Sequence, residues 1–159
     1  MSSRIEFTKA PPGAIHAMLG LEKYVHNSGL EASLLLLVKM RASQINGCAY
    51  CLDMHSKDAR AAGETEQRLY LLDAWRETTF YSERERSALA WTEAVTLVSE
   101  THVPDEVYEE VRKHFGEQEL VNLTLAVVAI NGWNRLAIGF RAEVGAYQPG
   151  TNAAIAKGA

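Results

Sequence analysis

Apolar residues recur at helical spacing along most of the chain. Positions that repeat every three or four residues indicate the buried face of an amphipathic helix. No segment shows the sustained alternation of apolar and polar residues that is typical of a strand. The predicted helices cover approximately residues 12–25, 31–46, 48–62, 64–76, 82–98, 104–116 and 118–141. The sequence therefore predicts an all-α fold of six to seven helices.

Residues with strong turn and capping preferences define the predicted helix ends. Asn46-Gly47 indicates a break before the third helix, which we expect to begin at or near Cys48. Ser82 and Glu85 have the spacing of a capping box, in which each side chain bonds the backbone of the other residue. Gly132 is expected to bend the last helix.

The chain has 159 residues, of which 47% are hydrophobic and 23% charged, and these values fit one globular domain. We assign residues 1–145 to this single helical domain, with an extended lead-in over residues 1–11. Residues 34–38 are apolar on nearly all sides, so the second helix is predicted to be buried on several faces. Residues 146–159 have little to anchor them and are predicted to form a loose tail.

The charge balance and the length of the apolar runs argue against several functions. Lysine and arginine number 16 and aspartate and glutamate 20, and the net charge of −4 disfavours nucleic-acid binding. The strongest apolar runs, residues 34–38 and 125–130, are far shorter than the roughly 20 residues of a membrane span. The N-terminus lacks the apolar stretch of a secretory signal. We therefore expect a cytoplasmic protein that binds neither nucleic acid nor membrane.

Cys48, Cys51 and His55 form a Cys-x-x-Cys-x-x-x-His motif at the predicted start of the third helix. At about 100° per residue, Cys51 lies roughly 60° and His55 roughly 20° from Cys48 around the helix, so all three share one face. In a reducing compartment such a pair is typical of a redox dithiol rather than a structural crosslink. These three residues are the candidate catalytic residues.

The start of a helix favours the thiolate, the reactive form of cysteine, through free N–H groups and the positive end of the dipole. His55 can take the thiol proton as a base or stabilise the thiolate as a cation. Attack on a hydroperoxide would give a sulfenic acid, which the second thiol condenses to a disulfide. An external dithiol must then reduce that disulfide. A hydroperoxide and a reductant are therefore the predicted partners, and no cofactor or metal is predicted.

Two other interpretations of the motif stay open. The same side chains could belong to a metal-binding or sensing module, because two cysteines and a histidine need one further ligand for a tetrahedral zinc site. Its possible fourth ligands, none of diagnostic spacing, are His16, His26, His102 and His114. The three residues could also be ordinary members of the core. Nearby, Lys39 and Arg41 are interpreted as exposed charges, and Asn134 as a structural residue.

The stretch Arg41–His55, with Ala59-Arg60 and Gly63-Glu64 after it, resembles the alkylhydroperoxidase D-like branch of the carboxymuconolactone decarboxylase family. Further similarity extends the match over approximately residues 14–141. The resemblance implies an all-helical domain that assembles into trimers or hexamers, with peroxidase or disulfide reductase activity in antioxidant defence. The decarboxylase branch lacks the dithiol, so the cysteine pair argues against lactone decarboxylation.

The resemblance also implies roles for the three candidate residues. In the family the second cysteine usually attacks the peroxide and the first resolves the sulfenic acid, which assigns attack to Cys51, resolution to Cys48 and proton relay to His55. From the residues alone the order stays open, because Cys48 lies nearer the helix end and Cys51 lies one turn from His55.

Two positions depart from the family pattern. Leu36 stands where the family commonly has a relay glutamate, twelve positions before the first cysteine, and Tyr50 stands where it has a histidine. Leucine cannot accept a proton from an imidazole, so another acid must substitute or the redox site has decayed into a helical scaffold. The candidate substitutes are Glu31, Asp53 and Glu64, with the Tyr50 hydroxyl as a further possible hydrogen-bond donor.

Overall fold

A computed structural model describes residues 2–9 and 12–150 of the chain. Its α-helices are α1 (Pro12–His26), α2 (Ala32–Asn46), α3 (Ala49–Ala61), α4 (Glu66–Tyr70), α5 (Glu83–Thr96), α6 (Val98–Thr101), α7 (Asp105–Arg112) and α8 (Glu117–Phe140). Two 3₁₀-helices cover Phe7–Lys9 and Leu72–Glu77. No strand occurs in the described ranges, and the prediction of an all-α fold is confirmed.

The second helix lies at the centre of the fold. It packs against α3, α5, α8 and the second 3₁₀-helix, while α1 packs on α8 and α7 on α5. Leu37 and Val38 of α2 have no exposed surface, and Leu34 and Leu35 are 3% and 5% exposed. The prediction that this helix is buried on several faces is confirmed, and the arrangement fixes α3 against both α2 and α8.

Local signals at the helix ends act as the sequence predicts. Ser82 and Glu85 form the capping box: the backbone N–H of Glu85 donates to Ser82 Oγ at 3.3 Å, and the backbone N–H of Ser82 donates to Glu85 Oε2 at 2.8 Å. Gly47 ends α2 in a left-handed conformation with φ of 65°, which glycine adopts at little cost. This turn directs the chain from α2 into α3.

The prediction of one regular helix over residues 64–76 is wrong. The segment divides into α4 and a 3₁₀-helix, and Ala74 within the latter departs from helical geometry with φ of −107° and ψ of 27°. Residues three apart align on one side of a 3₁₀-helix, and this alignment puts both Leu72 and Trp75 into the core. Burial of these two side chains therefore competes with regular α-helical hydrogen bonding.

Two further predicted bounds need correction. The fifth helix ends at Thr96 rather than at residue 98, and Val98, with 52% of its surface exposed, begins the short α6. The sixth helix ends at Arg112 rather than near Gly116.

The expectations for Gly132 and the lead-in are also corrected. Helix α8 passes through Gly132 without a break, and a Cβ atom there would lie 2.8 Å from Cε of Met18. Glycine at this position permits the close approach of α1 to α8 rather than a bend. The lead-in contains a 3₁₀-turn, and its Phe7 ring lies 6.1 Å from the ring of Phe140. This contact favours the turn over an extended chain.

By length and composition α8 could cross a membrane, with a mean hydropathy of 1.3 over its most apolar stretch. The core helix of a soluble protein passes the same test. In α8, Leu123, Val127 and Ile130 have no exposed surface and pack within the fold.

Candidate active site

Cys48 is the N-cap of α3 rather than a residue within it. Its backbone is extended, with φ of −84° and ψ of 93°, and its sulfur accepts a hydrogen bond from the backbone N–H of Cys51 at 3.4 Å. The predicted start of the helix is confirmed, but the angular argument from 100° per residue does not apply to a capping residue. The Cys48 sulfur lies at the helix end, where the unpaired N–H groups are concentrated.

Both cysteines are free thiols and are 1% exposed. Their apolar surroundings come from α2, α3, α8 and the segment after α8, and consist of Ala42, Tyr50, Ile130, Ala137 and Ala142. One polar side chain, Asn134 of α8, adjoins both sulfurs and has no exposed surface. Its amide donates to Ser43 Oγ at 3.1 Å and accepts from Asn46 Nδ2 at 2.8 Å. These bonds hold the Asn134 amide in a fixed orientation beside the dithiol.

The two thiols differ in acidity. A hydrogen bond from the Cys51 thiol, supported by the backbone N–H of Cys51 and by Asn134, lowers the pKa of Cys48 to about 7 against the opposing effect of burial. Donation to Cys48, burial and the adjacent negative charge raise the pKa of Cys51. Of the two thiols, Cys48 is therefore the more acidic.

His55 is 7% exposed and lies on α3, four residues after Cys51. Its Nδ1 atom has no hydrogen-bond partner within residues 2–9 and 12–150, and lies 4.0 Å from Oδ2 of Asp58. Burial, followed by the positive charge of Lys39, lowers the pKa of His55 to about 3. A neutral imidazole can act as a base or a hydrogen-bond partner, but it does not stabilise a thiolate as a cation. Of the three candidate residues, the structure brings the two sulfurs into contact, and it places the His55 ring beside Asp58.

Lys39 and Arg41 are not exposed charges. Their side chains are 14% and 12% exposed, because Lys39 pairs with Glu22 of α1 and Arg41 pairs with Glu93 at 2.7 Å. Burial lowers the pKa of Lys39 to about 8, although the negative charge of Asp58 opposes this shift. The position of Lys39 directly after the apolar run of α2 was a sequence signal that it would be buried. Nothing in the sequence indicated that Glu22 of α1 would be its partner.

The three carboxylates considered as substitutes for the missing glutamate are engaged elsewhere. Glu31 pairs with Arg84 at 2.9 Å, Glu64 with Arg68 at 3.0 Å and Asp53 with Lys57 at 2.9 Å. Leu36 packs in the apolar cluster around Leu37 and Trp75. Tyr50 packs against the cysteines, and burial raises its pKa. The carboxylate beside His55 is that of Asp58, which the sequence argument did not consider.

The chain after α8 returns across α3 as a strap, residues 142–147. Ala142 packs in the cysteine cluster, and the backbone N–H of Gly145 donates to Asp53 Oδ2 at 3.2 Å. Lys57 Nζ donates to the carbonyl of Tyr147 at 3.0 Å, and the Tyr147 hydroxyl donates to Asp58 Oδ1 at 2.5 Å. Of the predicted loose tail, residues 146–150 are therefore bound to α3 at Tyr147, and residues 151–159 lie outside the described residues.

Replacing Lys57 with methionine should make the thiols easier to alkylate. The change removes its hydrogen bonds to the carbonyls of Tyr147 and Gly145. The ammonium is partly exposed, so we take the loss as about 1 kcal/mol, which raises the open population of the strap about fivefold. Timed iodoacetamide alkylation with intact mass measures the rate. Lys113→Met is the matched control, since Lys113 pairs with Glu110 on α7, and equal rates in both variants would contradict a covering role of the strap.

The metal alternative receives no support from the geometry. Within the described ranges, no three histidine, cysteine, aspartate or glutamate side chains form a group that could hold a metal ion. Cys48 and Cys51 adjoin each other, but His55 does not converge with them on one point.

An all-α fold with two adjoining buried thiols at the start of α3 places the chain among helical Cys-x-x-Cys proteins. A model of the carboxymuconolactone decarboxylase family matches residues 12–94. The chain belongs to this family, in its alkylhydroperoxidase D-like branch.

Relatives with known sequences and structures agree with this assignment. The uncharacterized protein YdfG of Bacillus subtilis is 46% identical over 138 residues, which cover 87% of this chain and 94% of YdfG. The uncharacterized protein YnjA of Escherichia coli is 33% identical over 101 residues, covering 63% of this chain and 54% of YnjA. The crystal structure of ATU0492 from Agrobacterium tumefaciens matches with a TM-score of 0.88 and 47% identity, covering 92% of this chain and all of that one. ATU0492 is a protein of unknown function described as a candidate antioxidant defence protein, AhpD.

Proposed function

We propose that this protein is a thiol peroxidase or disulfide reductase that acts through Cys48 and Cys51. The observation that carries the proposal is the pair of adjoining sulfurs at the start of α3, with Cys48 accepting the backbone N–H of Cys51. This bond and the Cys51 thiol lower the pKa of Cys48 to about 7. A substantial share of Cys48 is therefore thiolate at neutral pH, as a nucleophile requires. The description of ATU0492 as a candidate antioxidant defence protein supports the same chemistry.

The proposed reaction consists of two displacements. The Cys48 thiolate attacks one oxygen of a hydroperoxide, the O–O bond breaks, and the leaving alkoxide takes a proton to become an alcohol. Cys48 is then a sulfenic acid. The Cys51 sulfur attacks it, the S–S bond forms, and the oxygen leaves as water with the proton of Cys51. The peroxide is reduced, the dithiol is oxidised, and an external dithiol restores it by thiol–disulfide exchange.

Access and assembly complete the proposal. Because both thiols are 1% exposed, their surroundings must open locally for a peroxide to reach them, and we propose that the strap, whose Ala142 packs in the cysteine cluster, is the part that opens. We propose a homo-oligomer, either a trimer or a hexamer, that uses the outer face of α8. Val121 and Val128 lie two turns apart on this face and are 58% and 48% exposed. Exposed apolar side chains in such an array are typical of an interface between subunits.

Treating the reduced protein with one equivalent of an organic hydroperoxide should form an intramolecular disulfide. Intact mass and thiol count should show the loss of two hydrogens and of both free thiols in the wild-type protein, whereas Cys48→Ser and Cys51→Ser cannot close the bond. Dithiothreitol should restore the mass. If the wild-type protein keeps both thiols, the peroxidase proposal fails, and a helical scaffold with a decayed redox site becomes the better explanation of Leu36 and Tyr50.

A further inference from the structure

The buried Nδ1 atom of His55 lacks a hydrogen-bond partner in the described part of the chain. A buried polar atom left in this way is costly, and such atoms are rare in folded proteins. Catalytic hydrogen bonds are often long in the resting protein and close only during reaction. The unpaired atom therefore points to a bond that forms in another state of the site.

Asp58 is the group positioned to form that bond. It follows His55 by three residues on α3, and its Oδ2 lies 4.0 Å from Nδ1. Movement of the carboxylate by about 1 Å brings the two atoms to hydrogen-bonding distance. The other oxygen, Oδ1, already accepts the hydroxyl of Tyr147 at 2.5 Å. The strap thus holds one carboxylate oxygen and leaves the second available to the ring.

The surrounding charges favour a carboxylate and a neutral ring at this place. Lys39 of α2 pairs with Glu22 of α1, and its positive charge acts on both Asp58 and His55. It attracts the negative carboxylate and opposes a second proton on the imidazole. Trp133 of α8 donates to the other oxygen of Glu22 at 3.3 Å and so anchors this ion pair. The charged groups that act on His55 are therefore Lys39 of α2 and Asp58 of α3, and they are held in turn by Glu22 of α1 and Tyr147 of the strap.

We propose that Asp58 supplies the carboxylate missing at Leu36, by accepting a hydrogen bond from Nδ1–H of His55 and so leaving Nε2 free to take the proton of Cys51. Asp58 acts through the ring and is a positioning residue. The inference rests on the proposed function and concerns its second displacement. His55 removes the proton of Cys51 as its sulfur attacks the Cys48 sulfenic acid, then gives that proton to the departing oxygen, which leaves as water.

The raised pKa of Cys51 explains why the second displacement needs a base. A thiol that donates to its neighbour and is buried holds its proton at neutral pH, so resolution of the sulfenic acid requires a base. His55 lies four residues after Cys51 on α3, at the spacing at which side chains of a helix meet. Attack by Cys48 needs no such base, because a substantial share of this residue is already thiolate at neutral pH. Loss of Asp58 should therefore slow resolution and spare attack.

The test measures the lifetime of the sulfenic acid in Asp58→Leu. Reduced protein is mixed with excess organic hydroperoxide and quenched at intervals with dimedone, and intact mass separates sulfenic adduct from disulfide. We expect disulfide formation to slow about tenfold or more, with dimedone adduct accumulating at Cys48. Asp53→Leu is the matched control: Asp53 also lies on α3 and binds the strap through Gly145 and Lys57. It loosens the strap without changing His55, so the sulfenic acid should resolve at the wild-type rate.

A second variant and a spectroscopic measurement keep the inference testable if Asp58→Leu folds poorly. Asp58→Asn retains a neutral acceptor of the same size, and we expect a smaller accumulation of the adduct. Nitrogen-15 NMR of His55 in the resting protein should show the Nδ1–H tautomer in wild type and a shift toward Nε2–H in Asp58→Leu. A wild-type resolution rate or an unchanged tautomer in that variant would overturn the role of Asp58 alone. Wild-type protein that forms neither adduct nor disulfide would instead overturn the proposed function.

Discussion

Cys51→Ser is expected to retain a thiol that ionises near pH 7, whereas the thiol of Cys48→Ser should ionise at or above its usual range. The N-cap position causes the difference, because the backbone N–H of residue 51 donates to the Cys48 sulfur whether residue 51 is cysteine or serine. A serine at 51 can also replace the thiol as a donor. Burial continues to raise the pKa of Cys51 when Cys48 is replaced. At pH 7 the two variants should differ in alkylation rate about 50-fold, following their thiolate fractions.

The measurement is the rate of iodoacetamide reaction from pH 5 to pH 10, followed by intact mass, with thiolate ultraviolet absorbance as a second reading. Both variants unfolded in urea serve as controls, since the two thiols should then react alike. Both folded thiols are equally buried, so opening of the strap affects them similarly. A lower pKa in Cys48→Ser would assign the attack to Cys51, as the family resemblance implies.

The helices were predictable because their signals are local. Apolar spacing within α2, the capping box at Ser82 and the left-handed turn at Gly47 each depend on residues close in sequence. The prediction for residues 64–76 failed because the burial of Leu72 and Trp75 against residues distant in sequence decides the geometry of this segment. The helix propensities of neighbouring residues do not show which side chains the rest of the fold will bury.

The site was predictable only in part, for the same reason. Spacing alone identified the dithiol, and the break at Gly47 located the start of α3. The polar groups around the site come from distant segments: Asn134 beside the dithiol lies on α8, the Glu22 partner of Lys39 lies on α1, and the Tyr147 partner of Asp58 lies beyond the last helix. A single sequence does not show which of its polar residues will meet in the core.

The protein should lose stability between pH 6.5 and pH 4.5 through His55. Burial and Lys39 lower the pKa of this residue to about 3 in the folded state, from 6.5 in the unfolded chain. Between these values the unfolded state binds one more proton, so stability is present above pH 6.5 and declines as pH falls. The expected loss is about 2 to 3 kcal/mol from pH 7 to pH 4.5. Urea unfolding at fixed protein concentration, followed by tryptophan fluorescence, measures it.

The chosen pH range separates His55 from the other shifted groups. Glu31 and Glu93 have pKa values lowered from 4.5 by their arginine partners and neighbouring donors, so their contributions are lost at more acidic pH. Cys48 contributes in the same direction but over a higher range, between about pH 7 and its usual 9.0, so its contribution does not overlap that of His55. His55→Gln should therefore flatten the slope between pH 6.5 and 4.5, while replacement of the exposed His26 by glutamine should preserve it. An unchanged slope in His55→Gln would show that the ring is protonated in the folded protein, and a cationic His55 would then reopen its role as a direct stabiliser of the thiolate.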